Sequence, residues 1–327
     1  GYGESDDFPT VNPYQAARAG MEDLFVSLFS SSGSALVCST YVGGESNDRG
    51  QAIVFDSLGR ALVAGRTSSN GYPTANPYQA SRGSSGDYIN NVALTKISAS
   101  GSALVFSTYL GGDGSSDAWA VALDSADALY LTGMTAAPDF PTLNPYQASL
   151  ASPSYGDIFL AKLTTDASAL LFSTYLGGSI EEIAYDLDFD SAGQACIFGN
   201  TFSLDFPTLN PYQASNGGAE WIEDAILAKF STSGSALIYS TFLGGADHDY
   251  GRGLRIDSEG RAFVAGWTLS SDFPTRDGFQ PSLASAGKED AYLTVFAASG
   301  SAVSYSTYFG GSQVEYGLGL RIGSGND

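Results

Sequence analysis

Hydrophobic positions along this chain fall in short bursts of four to nine residues, separated by clusters of Gly, Ser, Asn and Asp. Bursts of that length bounded by turn formers read as β-strands. Nowhere does a 3.6-residue apolar period persist, so little helix is predicted. Strands at 253–256 and 262–265 flank the turn Asp257-Ser258-Glu259-Gly260. The same turn recurs as Asp56-Ser57-Leu58-Gly59, Asp124-Ser125-Ala126-Asp127 and Asp190-Ser191-Ala192-Gly193, always ending in a residue that tolerates positive φ. A second hairpin joins 225–230 to 236–243 through Ser233-Gly234, with Gly33, Gly101 and Gly300 in its copies and Ala167 breaking the pattern. The run Ala225-Ile226-Leu227-Ala228 has no polar interruption, as expected of a strand buried on both faces.

These bursts repeat as a block. Phe8-Pro9-Thr10 returns as Tyr72-Pro73-Thr74, Phe140-Pro141-Thr142, Phe206-Pro207-Thr208 and Phe273-Pro274-Thr275, with the prolines 64 to 68 residues apart. Ser39-Thr40-Tyr41-Val42-Gly43-Gly44 returns in phase at Ser107, Ser173, Ser240 and Ser306. Tandem self-similarity at a fixed period signals a repeat architecture. The repeats run over approximately 1–65, 66–133, 134–199, 200–266 and 267–327, within one domain spanning 1–327. Gly1-Tyr2-Gly3 aligns with Gly266-Trp267-Thr268, and Arg321-Ile322 with Arg255-Ile256, so the two ends meet inside one repeat. The expectation is an all-β, five-bladed β-propeller with four antiparallel strands per repeat of ~66 residues, opened within a strand and closed by pairing of N- and C-terminal segments. The ~20-residue connection carrying Phe-Pro-Thr and Asn-Pro-Tyr-Gln is expected to pack as an Ω-type excursion over one blade end.

Composition narrows function more than it names it. With 14 Lys+Arg against 35 Asp+Glu, the net charge of −21 argues against nucleic acid, whose phosphates demand clustered basic residues. Only 15% of residues are charged while 43% are hydrophobic, which excludes a disordered acidic tail. No apolar run approaches the ~18 residues of a membrane helix. Cys38 and Cys196 cannot make a disulfide framework and read as separate buried thiols.

The ordered motifs Asp-Phe-Pro-Thr, Asn-Pro-Tyr-Gln, Asp-Ala-hydrophobic-Leu-Ala-Lys, Gly-Ser-Ala-Leu, Ser-Thr-Tyr-Leu-Gly-Gly and Asp-Ser-x-Gly resemble the bacterial and archaeal SBBP β-propeller repeat along essentially the whole chain. The resemblance implies a secreted or surface location, often within larger multidomain proteins. It brings no catalytic residues, and five repeats depart from the seven blades of the family's name.

A residue present in every repeat serves what every blade needs, whereas one that breaks the pattern is the better functional candidate. After the glycine that ends the second strand come Tyr2, Arg66, Met134, Asn200 and Trp267, five different side chains on a shared rim and the first ligand-binding candidates. Asp23, Asp157, Asp224 and Asp290, with Asn91 in the second repeat, open the third strand. They read as caps on turn amides, the alternative being a ring of calcium sites, since carboxylates and carbonyls suit that ion. Asp186, Asp188, Arg255 and Arg321 lie on first strands and read as inter-blade salt bridges or as the lining of a channel. Trp119 and Tyr185, at equivalent first-strand positions, read as blade packing. Asp247-His248-Asp249 contains the only histidine and reads as a solvated loop.

The leading expectation is a non-enzymatic, secreted or cell-surface structural or interaction module, binding protein or glycan and without a cofactor. Within it, the opened strand is expected to be completed by strand addition in a larger surface assembly or filament. A lectin-like propeller is the first alternative, using Trp267, Tyr2 or Arg66. A glycoside hydrolase is the second, which needs two carboxylates ~5–10 Å apart.

Overall fold

The computed structural model describes residues 1–84, 86 and 89–323. The described residues form nineteen strands and no helix. The first sheet holds β1 (Tyr2–Gly3), β2 (Asp23–Phe29) and β3 (Leu36–Val42). The second holds β4 (Asp48–Phe55), β5 (Ala61–Thr67), β6 (Asn91–Ile97) and β7 (Leu104–Leu110). The third holds β8 (Ser116–Leu123), β9 (Leu129–Thr135), β10 (Asp157–Leu163) and β11 (Leu170–Leu176). The fourth holds β12 (Glu182–Phe189), β13 (Ala195–Thr201), β14 (Asp224–Phe230) and β15 (Leu237–Leu243). The fifth holds β16 (Asp249–Ile256), β17 (Ala262–Thr268), β18 (Asp290–Phe296) and β19 (Val303–Phe309). Strand order follows chain order in every sheet. Five successive antiparallel sheets of this kind give the five-bladed β-propeller class.

The chain divides into two compact units, residues 1–143 with 161–173 and residues 144–160 with 174–327. Within the first, Leu24, Val26 and Val42 of the first sheet share a core with Ala61, Val63, Ala93, Ile97 and Tyr109 of the second. Within the second, Phe198, Leu227, Tyr239 and Leu243 of the fourth sheet pack on Leu254, Val264, Tyr292 and Phe296 of the fifth. The core thus lies between facing sheets, which is why β14 is buried at all seven positions and shows no apolar–polar alternation.

The turns follow the sequence reading. Gly59, Asp127, Gly193 and Gly260 close the first hairpin with φ between 59° and 79°. In the second hairpin Ala167 keeps the positive φ of the glycines it replaces, at 54°.

The Phe-Pro-Thr loop departs from expectation. It runs along the outer strand of its own sheet and not over a blade end, with bridges Val11↔Ser39 and Gln15↔Tyr41 repeated through Arg276↔Ser306 and Gln280↔Tyr308. An outer strand exposes unpaired amides and carbonyls, and the loop satisfies them: Val11 N–H donates to Ser39 O at 3.0 Å and Ser39 N–H returns the bond at 2.8 Å. The motif residues fasten the loop. Gln213 donates through Nε2 to Asp224 Oδ2 at 3.0 Å, and its Oε1 accepts from Gly244 N–H at 3.1 Å. Tyr308 hydroxyl accepts from Phe273 N–H and donates to Ser270 O.

The first sheet has three strands, β1 being two residues long. Residues 310–323 carry no strand and lie against the fifth sheet. A Cβ on Gly317 would fall 2.6 Å from Gly266 O, much as one on Gly251 would fall 2.7 Å from Gly199 O. Glycine at both places lets one backbone approach another, so this segment takes the position of a further first strand.

Candidate functional site

Each first strand contains a β-bulge. Its register shifts between Gly50 and Ala52, Ala118 and Ala120, Ala184 and Asp186, and Gly251 and Gly253. Gln51, Trp119, Tyr185 and Arg252 therefore occupy the extra position, which re-aims a side chain out of the ladder. The rim candidates sit opposite the start of the same strands, Arg66 facing Arg49, Met134 facing Asp117, Asn200 facing Ile183 and Trp267 facing Tyr250.

In the first unit the rim is tied up in ion pairs. Arg66 meets Asp117 at 2.8 Å. Arg49 donates to Glu22 at 2.9 Å and lies 4.7 Å over the Tyr2 ring. Met134 is half-buried.

In the second unit the rim becomes a stack. His248, Tyr250 and Trp267 follow one another face to face, with centroids 6.1 and 4.8 Å apart, and Tyr316 meets Trp267 edge-on at 4.9 Å. The Arg252 guanidinium lies between Tyr185, at 3.6 Å, and Trp267, at 4.6 Å. A sandwiched guanidinium keeps its charge while its flat faces are covered. Asn200 is buried and accepts from Gly251 N–H at 2.7 Å, fixing the strand that carries Arg252.

Beside this stack is a pocket of about 140 Å³ lined by Glu181, Ile183, Tyr185, Asn200, Phe202, Glu223, Tyr250 and Arg252. Burial raises Glu223 above the usual carboxylate range, although Tyr250 and His248 oppose it. Burial and then the charge of Glu223 raise Glu181. An open cleft of about 580 Å³ adjoins, lined by Tyr185, Asp186, Arg252, Arg255 and residues 318–321.

The channel candidates separate. Asp186 Oδ2 accepts from Leu254 N–H and from Arg255 Nη1, each at 2.9 Å, and its Oδ1 from Leu187 N–H. Asp188 accepts from Ile256 N–H at 2.8 Å and from Phe189 N–H. Both carboxylates clamp β12 to the backbone of β16; Asp186 also pairs with Arg255, and those two line the open cleft, whereas Asp188 meets only backbone amides. Arg321, in the strandless segment, donates to Leu320 O at 3.4 Å and lines the open cleft.

The third-strand aspartates cap their loops. Asp23 accepts from Gln15, Ala19 N–H and Gly20 N–H. Asp157 accepts from Gln147, Ala151 N–H and Ser152 N–H. Asp290 accepts from Gln280 and Ala284 N–H. Among the described residues no group of three or more His, Cys, Asp and Glu is placed to hold a metal.

His248 lies on the loop before β16, as expected, but its side chain is not fully solvated. It is half-buried, with Nδ1 3.9 Å from Glu223 Oε1. Cys38 and Cys196 are free and buried, and burial pushes the Cys196 thiol up to about 12.

Sequence reasoning found Trp267 and Asn200 but missed Arg252, Tyr250, Glu181 and Glu223 as a site. Their signal was present as pattern breaks, since Arg252 stands where other repeats have Gln51, Trp119 and Tyr185. It also missed Trp221, half-exposed at φ 71° and edge-on to Tyr155 at 5.2 Å.

The sequence profile of the beta-propeller repeat, SBBP, matches residues 39–73 and 238–274. Each SBBP stretch begins in the outer strand of one sheet, crosses the Gly-Gly junction and ends at the proline after the second strand of the next. The repeat is therefore a unit of linkage between sheets, with the bulge and the rim position inside it. No curated protein matches the chain.

Proposed function

We propose that this chain is a non-enzymatic interaction module of a secreted or cell-surface protein, and that it docks a basic side chain of a protein partner at the Glu181–Glu223 pocket. The observation that carries this reading is the pocket itself. Two carboxylates, raised by burial, stand beside the Tyr185 and Tyr250 rings, with a single Arg252 already sandwiched between aromatics. An ammonium or guanidinium entering there gains two carboxylates and an aromatic face. The net charge of −21 favours the approach of a basic partner. Support for a non-catalytic role comes from Asp186 and Asp188, whose oxygens are engaged by backbone amides. The acidic composition and the SBBP repeats support a place outside the cell.

The test is interferometry of the chain against lysine- and arginine-bearing peptides, with a glycan array in parallel. Salt-sensitive peptide binding that weakens about tenfold or more in Glu181→Gln/Glu223→Gln is the expected result. Glycan binding lost in Trp267→Ala but kept in the double glutamine variant would transfer the site to the lectin reading, for which the flat Tyr250–Trp267 stack is the platform. Silence in both arrays sinks the proposal.

A further inference from the structure

Two positions flank the Gly-Gly that ends the first four sheets, both acidic at the first, third and fourth: the residue that opens the third strand, and the residue that opens the first strand of the next sheet. Between the fourth and fifth sheets these are Asp224 and Asp249, both fully buried. A Cβ on Gly244 would stand 2.5 Å from Asp224 Oδ1 and 2.6 Å from Asp249 Oδ2, so the two carboxyl groups crowd one point. Asp224 Oδ2 accepts from Gln213 Nε2 and Gly217 N–H. Asp249 Oδ2 accepts from Gly245 N–H and Ser270 Oγ. Oδ1 of each is buried with no hydrogen-bond partner. Burial, reinforced in each case by a neighbouring carboxyl, pushes Asp224 up to about 7 and Asp249 up to about 8. As built, the junction lacks a positive charge.

The second sheet provides the comparison. Its junction has Asn91 and Ser116 at the same positions, both neutral. Asn91 Nδ2 donates to Asn90 O at 2.9 Å and to Gly112 O at 3.3 Å. Two backbone carbonyls thus converge where the side chain ends, and an N–H group answers them. At Asp224 an oxygen replaces that nitrogen, and by repeat equivalence the carbonyls of Glu223 and Gly245 face it. Buried carboxylate oxygens left without a donor beside backbone carbonyls are the ligand type of a hard-cation shell.

We propose that Asp224 Oδ1 and Asp249, with the carbonyls of Glu223 and Gly245, bind a calcium ion that pins the Gly244-Gly245 junction between the fourth and fifth sheets. Carboxylates and carbonyls without nitrogen or sulfur select calcium over zinc, and a crowded backbone disfavours the water-rich octahedron of magnesium.

The experiment titrates CaCl2 into the EDTA-stripped full chain by calorimetry and follows thermal melting with CaCl2, MgCl2 or EDTA. Bound calcium and a higher melting temperature with calcium are expected. The variant Asp224→Asn/Asp249→Ser, which installs the neutral pair of the second sheet, should bind one equivalent less. A wild-type chain that ignores calcium overturns the proposal, as does an unchanged stoichiometry in the variant. So does melting that ignores calcium but rises from about pH 8 to about pH 5, because the pair then shares a proton instead. Should the variant not fold, a wild-type crystal soaked in terbium decides. An anomalous peak beside Asp224 Oδ1 supports the site, and none there refutes it.

Discussion

Gly244 shows how tightly a single residue can be specified without an unusual backbone. It stands between Asp224 and Asp249, and any side chain would meet their carboxyl groups at 2.5–2.6 Å. Gly244→Ala is therefore expected to cost roughly 1–3 kcal/mol through overpacking. Chemical denaturation of the two proteins measures it, and an unchanged midpoint would refute the crowding. The recurrence of Gly-Gly after every outer strand marks this position as structural in the sequence. What the recurrence hides is the reason, because Asp224 and Asp249 are 25 residues apart and only the fold brings both to the same glycine.

At the scale of elements, two motifs that look independent turn out to be one device. The lysine ending the third-strand motif reaches back to the aspartate of the first hairpin turn: Lys96 to Asp56 at 3.3 Å, Lys162 to Asp124 at 2.9 Å, Lys229 to Asp190 at 2.5 Å. Burial works to raise Asp190, but Lys229 and the turn amides overcome it and hold the carboxyl below the usual range. The fifth sheet solves the same problem differently, with Val295 in place of the lysine and Arg261 paired to Asp257 at 2.6 Å. Lys229→Val should thus cost roughly 3 kcal/mol by leaving Asp190 buried without a cation. Adding Gln194→Arg, at the position of Arg261, should recover at least half of that loss in the same denaturation experiment. No recovery would mean that Lys229 acts through packing. The strands and turns were legible from burst length and turn chemistry. The course of the Phe-Pro-Thr loop was not, because its partner is an outer strand whose unpaired edge has no sequence signature.

For the whole molecule, charge is the dominant quantity. The chain has 14 basic residues against 35 acidic ones, and its third-strand lysines are consumed one-to-one with aspartates in buried or half-buried pairs, so the remaining residues carry the whole net charge of −21. Self-repulsion of that kind opposes the compact state and is screened by salt. Melting temperature is expected to rise between about 10 mM and about 200 mM NaCl, which differential scanning fluorimetry reads directly. A fall would show that attractive pairs outweigh the repulsion. None of the described residues forms a helix long and apolar enough to cross a membrane.

The repeat alone determined the all-β class, the five sheets, both hairpin turns and which positions every sheet must keep. Those features are local: burst length, turn residues and period are written within a few residues of one another. Only the tertiary structure decided that Arg252 is sandwiched between Tyr185 and Trp267, and that Glu181 joins Glu223 in a pocket. It also decided that Asp186 and Asp188 bind backbone amides. Each of those depends on one strand facing another tens of residues away, and on a bulge that turns a single side chain out of its ladder. Repetition makes the scaffold readable, while the site lies where neighbouring repeats differ and meet.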